Sequence, residues 1–296
     1  MPAILSHLAN HFAALTGIIR WKCAMLLVSC LWRHNADKKG EELFRIAWRL
    51  VGRWPWLFRG HVYFGNRSET PWRNLVLGEL LKRLRGMGRP YVPALTIRKM
   101  EDFLWMSETG RPVIIVFSHA SGRLLGWTGR VCEAFGRKHA VTAVGYRKIL
   151  TVQPSAIGLC NALDLIPRDR ETLMALHQRI RQGAIVACAV DYSLRKSASL
   201  YYERFVSPTL FTFAPRIGSK VVFAFPVVAD DGRIEVALSV APENAPPEEV
   251  AEAFRAFLEA TTGRPIRWQC QPWSEGLGAG HQLKRRAVLA TFGQRG

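Results

Sequence analysis

The chain has 296 residues, 49% of them hydrophobic, which excludes an intrinsically disordered protein and suffices for one α/β core. Its 41 Lys and Arg against 23 Asp and Glu leave a net charge of +18, spread along the chain, that implies an anionic partner, and ten Trp favour a lipid surface over nucleic acid. The six cysteines form no CxxC pair, which argues against a zinc site and a small disulfide scaffold, and Cys132, Cys160 and Cys188 read as buried thiols in a reducing compartment.

Residues 1–60 are expected to be amino-terminal, membrane-interacting helices. Within 18–32 only Arg20 and Lys22 are charged, and the uncharged stretch 23–32 has ten residues, about half of the roughly 20 that cross a bilayer core. An interfacial helix is the cheaper reading, a transmembrane anchor extended back to Ala13 the second, and a helical hairpin packed on the domain the third. No small-residue cleavage site follows Trp32, so a signal peptide is not indicated. Residues 41–60 form a basic amphipathic helix stopped at Trp54-Pro55-Trp56, with Leu43, Phe44, Ala47, Leu50 and Val51 at helical spacing among Arg45, Arg49 and Arg53. Turn-rich residues 60–71 mark a boundary to an α/β domain over 61–273, and 274–296 read as a basic, poorly ordered tail.

Residues 72–86 make a helix whose core face is Leu75, Leu77, Leu80, Leu81 and Leu84, and 97–108 a shorter one. The organising stretch is 111–127. Val113, Ile114, Ile115, Val116 and Phe117 are a continuous, mostly β-branched apolar run, as a buried parallel strand requires, and they deliver His119 into the small-residue turn Ser118-His119-Ala120-Ser121-Gly122 before helical spacing resumes over 123–132. That puts His119 at the carboxyl end of a strand, where open α/β sheets place their ligands. Strands follow at 137–146 and 184–190, the latter ending at Asp191, with a helix over 172–182 between them. Residues 219–228 and 234–240 pair across Asp230-Asp231-Gly232 as an antiparallel edge, and 246–262 is a helix with Gly263 behind it. The fold class is α/β, a mixed and mostly parallel sheet flanked by helices.

A histidine at a strand end is often a satisfied structural residue, but the small neighbours of His119 leave room for a ligand. Asp191 either caps the next element or, from its own strand end, partners His119. Ser118 and Ser121 invite a Ser–His nucleophile, yet adjacent turn residues seldom aim at each other and no GxSxG elbow is present. Ser121, Arg123, Arg147 and Arg168 are candidates for substrate binding, the arginines as exposed cations or as groups that neutralise a phosphate or an oxyanion. No Walker A loop, GxGxxG, HExxH or nucleic-acid motif occurs, so no cofactor or metal is expected.

The strand-borne His119, Gly145-Tyr146-Arg147, the short run Leu163-Asp164-Leu165-Ile166-Pro167-Arg168, and the strand ending at Asp191 resemble the lipid A biosynthesis acyltransferase family of the lysophospholipid acyltransferase superfamily, over about residues 90–273. The resemblance implies an enzyme at the cytoplasmic face of the bacterial inner membrane, peripheral or with one amino-terminal anchor. It would move a fatty acyl chain from an acyl carrier protein or acyl-CoA to a lipid A-like or other amphipathic acceptor, with His119 as the base. In the family an acid stands five positions after the histidine, and this chain has Leu124 there. Either Asp191 supplies the carboxylate, or the chain is a catalytically degenerate member that binds lipid or a partner.

Overall fold

The computed structural model describes residues 2–59, 71–121, 127–143, 164–167, 171–195, 202–207, 209–266 and 269–270. The described helices are α1 (Pro2–His34), α2 (Gly40–Arg53), α3 (Pro55–Phe58), α4 (Trp72–Gly86), α5 (Trp127–Ala134), α6 (Thr172–Arg181), α7 (Thr209–Arg216) and α8 (Pro247–Thr262). The strands are β1 (Leu95–Ile97), β2 (Val113–Phe117), β3 (His139–Ala143), β4 (Asp164–Pro167), β5 (Ile185–Ala189), β6 (Asp191–Arg195), β7 (Tyr202–Val206), β8 (Lys220–Val228), β9 (Ile234–Val240) and β10 (Gln269–Cys270).

A seven-stranded sheet runs β1-β9-β8-β2-β5-β3-β4, parallel except for the β8–β9 hairpin. Every residue of β2 is buried, because helices cover both of its faces. Side chains alternate across a strand. Accordingly Val113, Ile115 and Phe117 share one core with α1, α2, α4 and α5, while Ile114 and Val116 share the other with α6, α7 and α8. The helix ends follow local chemistry: α8 begins with Pro247 at its first position and Glu248 and Glu249 in its first turn, and stops at Gly263 with φ 64°.

The amino-terminal helices contribute to this core. Trp21, Ala24, Met25, Val28 and Trp32 recur at helical spacing and are buried in it, and Trp32 Nε1 donates to Leu43 O at 2.8 Å. The apolar face of α2 is buried likewise, through Leu43, Phe44, Ala47, Trp48 and Val51. The other side of α1 carries an apolar stripe of exposed Leu15, Ile19 and Leu26, with exposed Cys23 and Cys30. The segment Leu15–His34, 20 residues, is long and apolar enough to cross a membrane.

Two expectations are corrected. Ile97 belongs to a strand, β1, which pairs in parallel with β9, so the hairpin is not the sheet edge. Lys99, at φ 51°, ends that strand, and the expected helix is a 3-10 helix over Met100–Ser107 only. A second sheet, β10-β7-β6, was not foreseen, since DYSLR and YERFV carry no apolar run to announce strands. Cys132 and Cys188 are buried thiols, whereas Cys160, all of the boundary 60–71 but Pro71, and the tail 274–296 lie outside the described residues.

Candidate active site

Register assembles the site. β2 and β5 are adjacent and parallel with Phe117 opposite Ala189, and Val190 N–H donates to Phe117 O at 3.2 Å. His119 and Asp191, each two residues beyond that pair, therefore leave the sheet side by side. From β2 the chain passes to α5 on one face of the sheet, and from β5 it proceeds to α7 on the other. The pair thus sits at a topological switch point, at the carboxyl ends of the strands.

Three hydrogen-bonding groups converge on the Asp191 carboxylate. The His119 backbone N–H donates to Oδ1 at 2.8 Å, Ser118 Oγ donates to Oδ2 at 2.9 Å, and His119 Nδ1 lies 3.1 Å from Oδ1. Ser118 Oγ also accepts from Ala120 N–H at 3.0 Å, so one hydroxyl ties the turn to the carboxylate. The carboxylate is buried, its side chain 2% exposed, whereas the His119 ring is 37% exposed. A buried carboxylate needs such donors to offset its lost hydration. With Asp191 ionised, and hence an acceptor only, the proton of the neutral imidazole sits on Nδ1 and Nε2 carries the free lone pair. The arrangement can hold an imidazole in one tautomer and orientation and accept a proton at its outer nitrogen, the work of a general base with its orienting acid. Below the site, Trp127 at the start of α5 meets Phe117 edge-on, with ring centroids 5.8 Å apart.

Of the residues singled out from sequence, His119 and Asp191 are brought into contact. Ser121 closes the 3-10 turn His119–Ser121, and its side chain is not described. Arg123, Leu124, Arg147 and Arg168 lie outside the described residues. Sequence reasoning dismissed a Ser118–His119 nucleophile pair, and the Ser118 hydroxyl is bonded to Asp191 instead. Its role as a tether was missed, although a hydroxyl at the first position past a buried strand was the available signal. No group of three or more His, Cys, Asp or Glu able to hold a metal ion occurs among the described residues.

Compared with known protein families, the chain matches no family model, and the curated proteins contain no significantly similar sequence.

Proposed function

We propose that the chain is an acyltransferase working at a membrane surface, similar to the late lipid A acyltransferases. His119 Nε2 takes the proton of an acceptor hydroxyl or amine, whose oxygen or nitrogen forms a bond to the carbonyl carbon of a carrier thioester. The C–S bond breaks, and the departing thiolate is protonated by the imidazolium. Asp191 orients the ring and stabilises its charge, standing in for the acid that Leu124 displaces. The observation carrying this reading is the 3.1 Å approach of His119 Nδ1 to the buried Asp191 carboxylate at the carboxyl ends of two adjacent parallel strands.

The membrane side of the proposal rests on α1. Its Trp21-to-Trp32 face is packed into the domain core, so the helix lies along the domain and turns the Leu15, Ile19, Leu26 stripe outward. A helix bound in that way suits the interface better than a crossing, which would draw the attached domain into hydrocarbon. The cytoplasmic leaflet, where carrier thioesters and anionic headgroups meet, is the face proposed. The high positive charge suits both anionic lipid and an acidic acyl carrier protein.

A second reading, a binding protein that keeps the fold without turnover, is favoured by Leu124 alone. Mass spectrometry of total lipids and lipid A from cells carrying the wild-type gene, no gene, or the His119→Ala allele separates the two. The enzyme reading expects an acyl increment that depends on His119, and identical lipid profiles in all three strains would overturn it.

A further inference from the structure

A small cleft that the site above does not use opens where α2, α3 and α4 meet the tip of the β8–β9 hairpin. Trp48, Gly52, Arg59, Trp72, Arg73 and Asp230 line it. The Arg59 and Arg73 guanidiniums both lie over the Trp72 ring, each 5.4 Å from its centroid. The two guanidiniums thus share one aromatic platform in the wall of the cleft. Arg73 is paired with the exposed Asp230 carboxylate, and among the described residues Arg59 meets no carboxylate. Among the described residues the cleft thus brings two arginines to one carboxylate, and exposed Arg53 lies over Trp54 nearby in the chain.

The cleft is also held in shape. Gly232, at φ +86°, lets the hairpin tip lie against α2, where an added Cβ would come within 3.0 Å of the Phe44 ring and 3.2 Å of Trp48 Cδ1. Trp48 Nε1 donates to Asp230 O at 2.8 Å and ties the hairpin tip to that face. The two guanidiniums border this fixed cleft, and guanidiniums suit a phosphate, which accepts paired N–H donors. On α3, whose Pro55 also lines the cleft, Trp56 is 57% exposed and Trp54 is exposed beside it. Indoles so placed sit at headgroup level in membrane-bound proteins.

We propose that this cleft binds the phosphate of an anionic bilayer phospholipid, with Arg59 and Arg73 as the donors. Arg73 turns from Asp230 to the incoming phosphate, and Trp54 and Trp56 enter the headgroup layer alongside. The inference rests on the membrane-surface reading and adds to it a discrete headgroup site, apart from the histidine.

Gly52 allows a test that removes no charge. It lies within α2, and a Cβ added to it meets nothing within 4 Å, so Gly52→Leu fills space at the cleft without backbone strain. The full-length protein is titrated with phosphatidylcholine vesicles, with mixed phosphatidylglycerol–phosphatidylcholine vesicles, and with inorganic phosphate, in each case followed by tryptophan fluorescence and sedimentation. Gly52→Leu and the double variant Arg59→Gln/Arg73→Gln should each weaken binding to the mixed vesicles about tenfold, the scale of a charge-assisted hydrogen bond. Arg179→Gln/Arg181→Gln on α6, against the opposite face of the sheet, makes the same charge change and should cost less than about threefold. Wild-type affinity in Gly52→Leu, or equal losses in the two double variants, would overturn the headgroup site while leaving the membrane reading standing. Failure of the wild type to bind mixed vesicles would overturn both. Binding of inorganic phosphate as tight as that of the mixed vesicles would reassign the cleft to a free anion and overturn the lipid proposal.

Discussion

The outward stripe of α1 makes the membrane reading quantitative. Leu15, Ile19 and Leu26 are 54%, 52% and 65% exposed and recur at helical spacing, with exposed Arg20 and Lys22 flanking them. Burying a whole Leu or Ile side chain is worth about 1.5–3 kcal/mol, so covering the exposed half of each in the acyl boundary contributes about 1 kcal/mol. Three such side chains give about 3 kcal/mol, or roughly 100-fold in partitioning. Leu15→Gln/Ile19→Gln/Leu26→Gln should therefore shift the full-length protein from the vesicle pellet to the supernatant by about that factor, without lowering its melting temperature. Deleting α1 is the poorer experiment, because it also strips Trp21, Ala24, Met25, Val28 and Trp32 from the core. If the triple variant sediments with anionic vesicles as the wild type does, α1 is not the contact surface and the reasoning fails.

Other expectations follow from single side chains. Ser118→Ala removes the donor to Asp191 Oδ2 and the acceptor for Ala120 N–H; kcat for acyl transfer should fall about 5- to 30-fold with KM little changed, as loss of 1–2 kcal/mol of positioning predicts, and Ser118→Thr should restore most of it. Arg137 is buried and donates to the Gly183, Met106, Glu108 and Arg111 carbonyls at 2.6–3.1 Å, clamping the approaches to β2 and β5. Arg137→Met should cost about 3 kcal/mol or more in urea unfolding, and Arg137→Lys should rescue little, since an ammonium cannot reproduce the planar fork of donors.

The legible parts of this fold were those written in local pattern. The bounds of β2, β9 and α4 follow from an unbroken apolar run, an alternating run after a turn, and leucines at helical spacing. The second sheet was not legible, because DYSLR and YERFV carry no unbroken apolar run and their strands are specified by pairing with each other and with β10. The clamping role of Arg137 was not legible either, because the carbonyls it satisfies come from segments far along the chain. The candidate site was half legible. A histidine in a small-residue turn after a buried strand announces itself, and Asp191 could be named because it ends another such strand. Their contact depends on β2 and β5 being neighbours in the register Phe117 to Ala189, which no local signal specifies.

The most direct test of the central claim is a double-mutant cycle on acyl transfer from a carrier-protein thioester, with His119→Ala, Asp191→Asn and the two combined, each variant first shown to be folded. General acid–base catalysis contributes about 10²- to 10⁴-fold. If His119 and Asp191 act as one unit, each single change should lower kcat by an amount in that range, and the double variant should be little worse than either. Losses that multiply would show that the two residues do not act as one unit, and full activity in Asp191→Asn would show that the carboxylate 3.1 Å from the ring serves the fold and not the reaction.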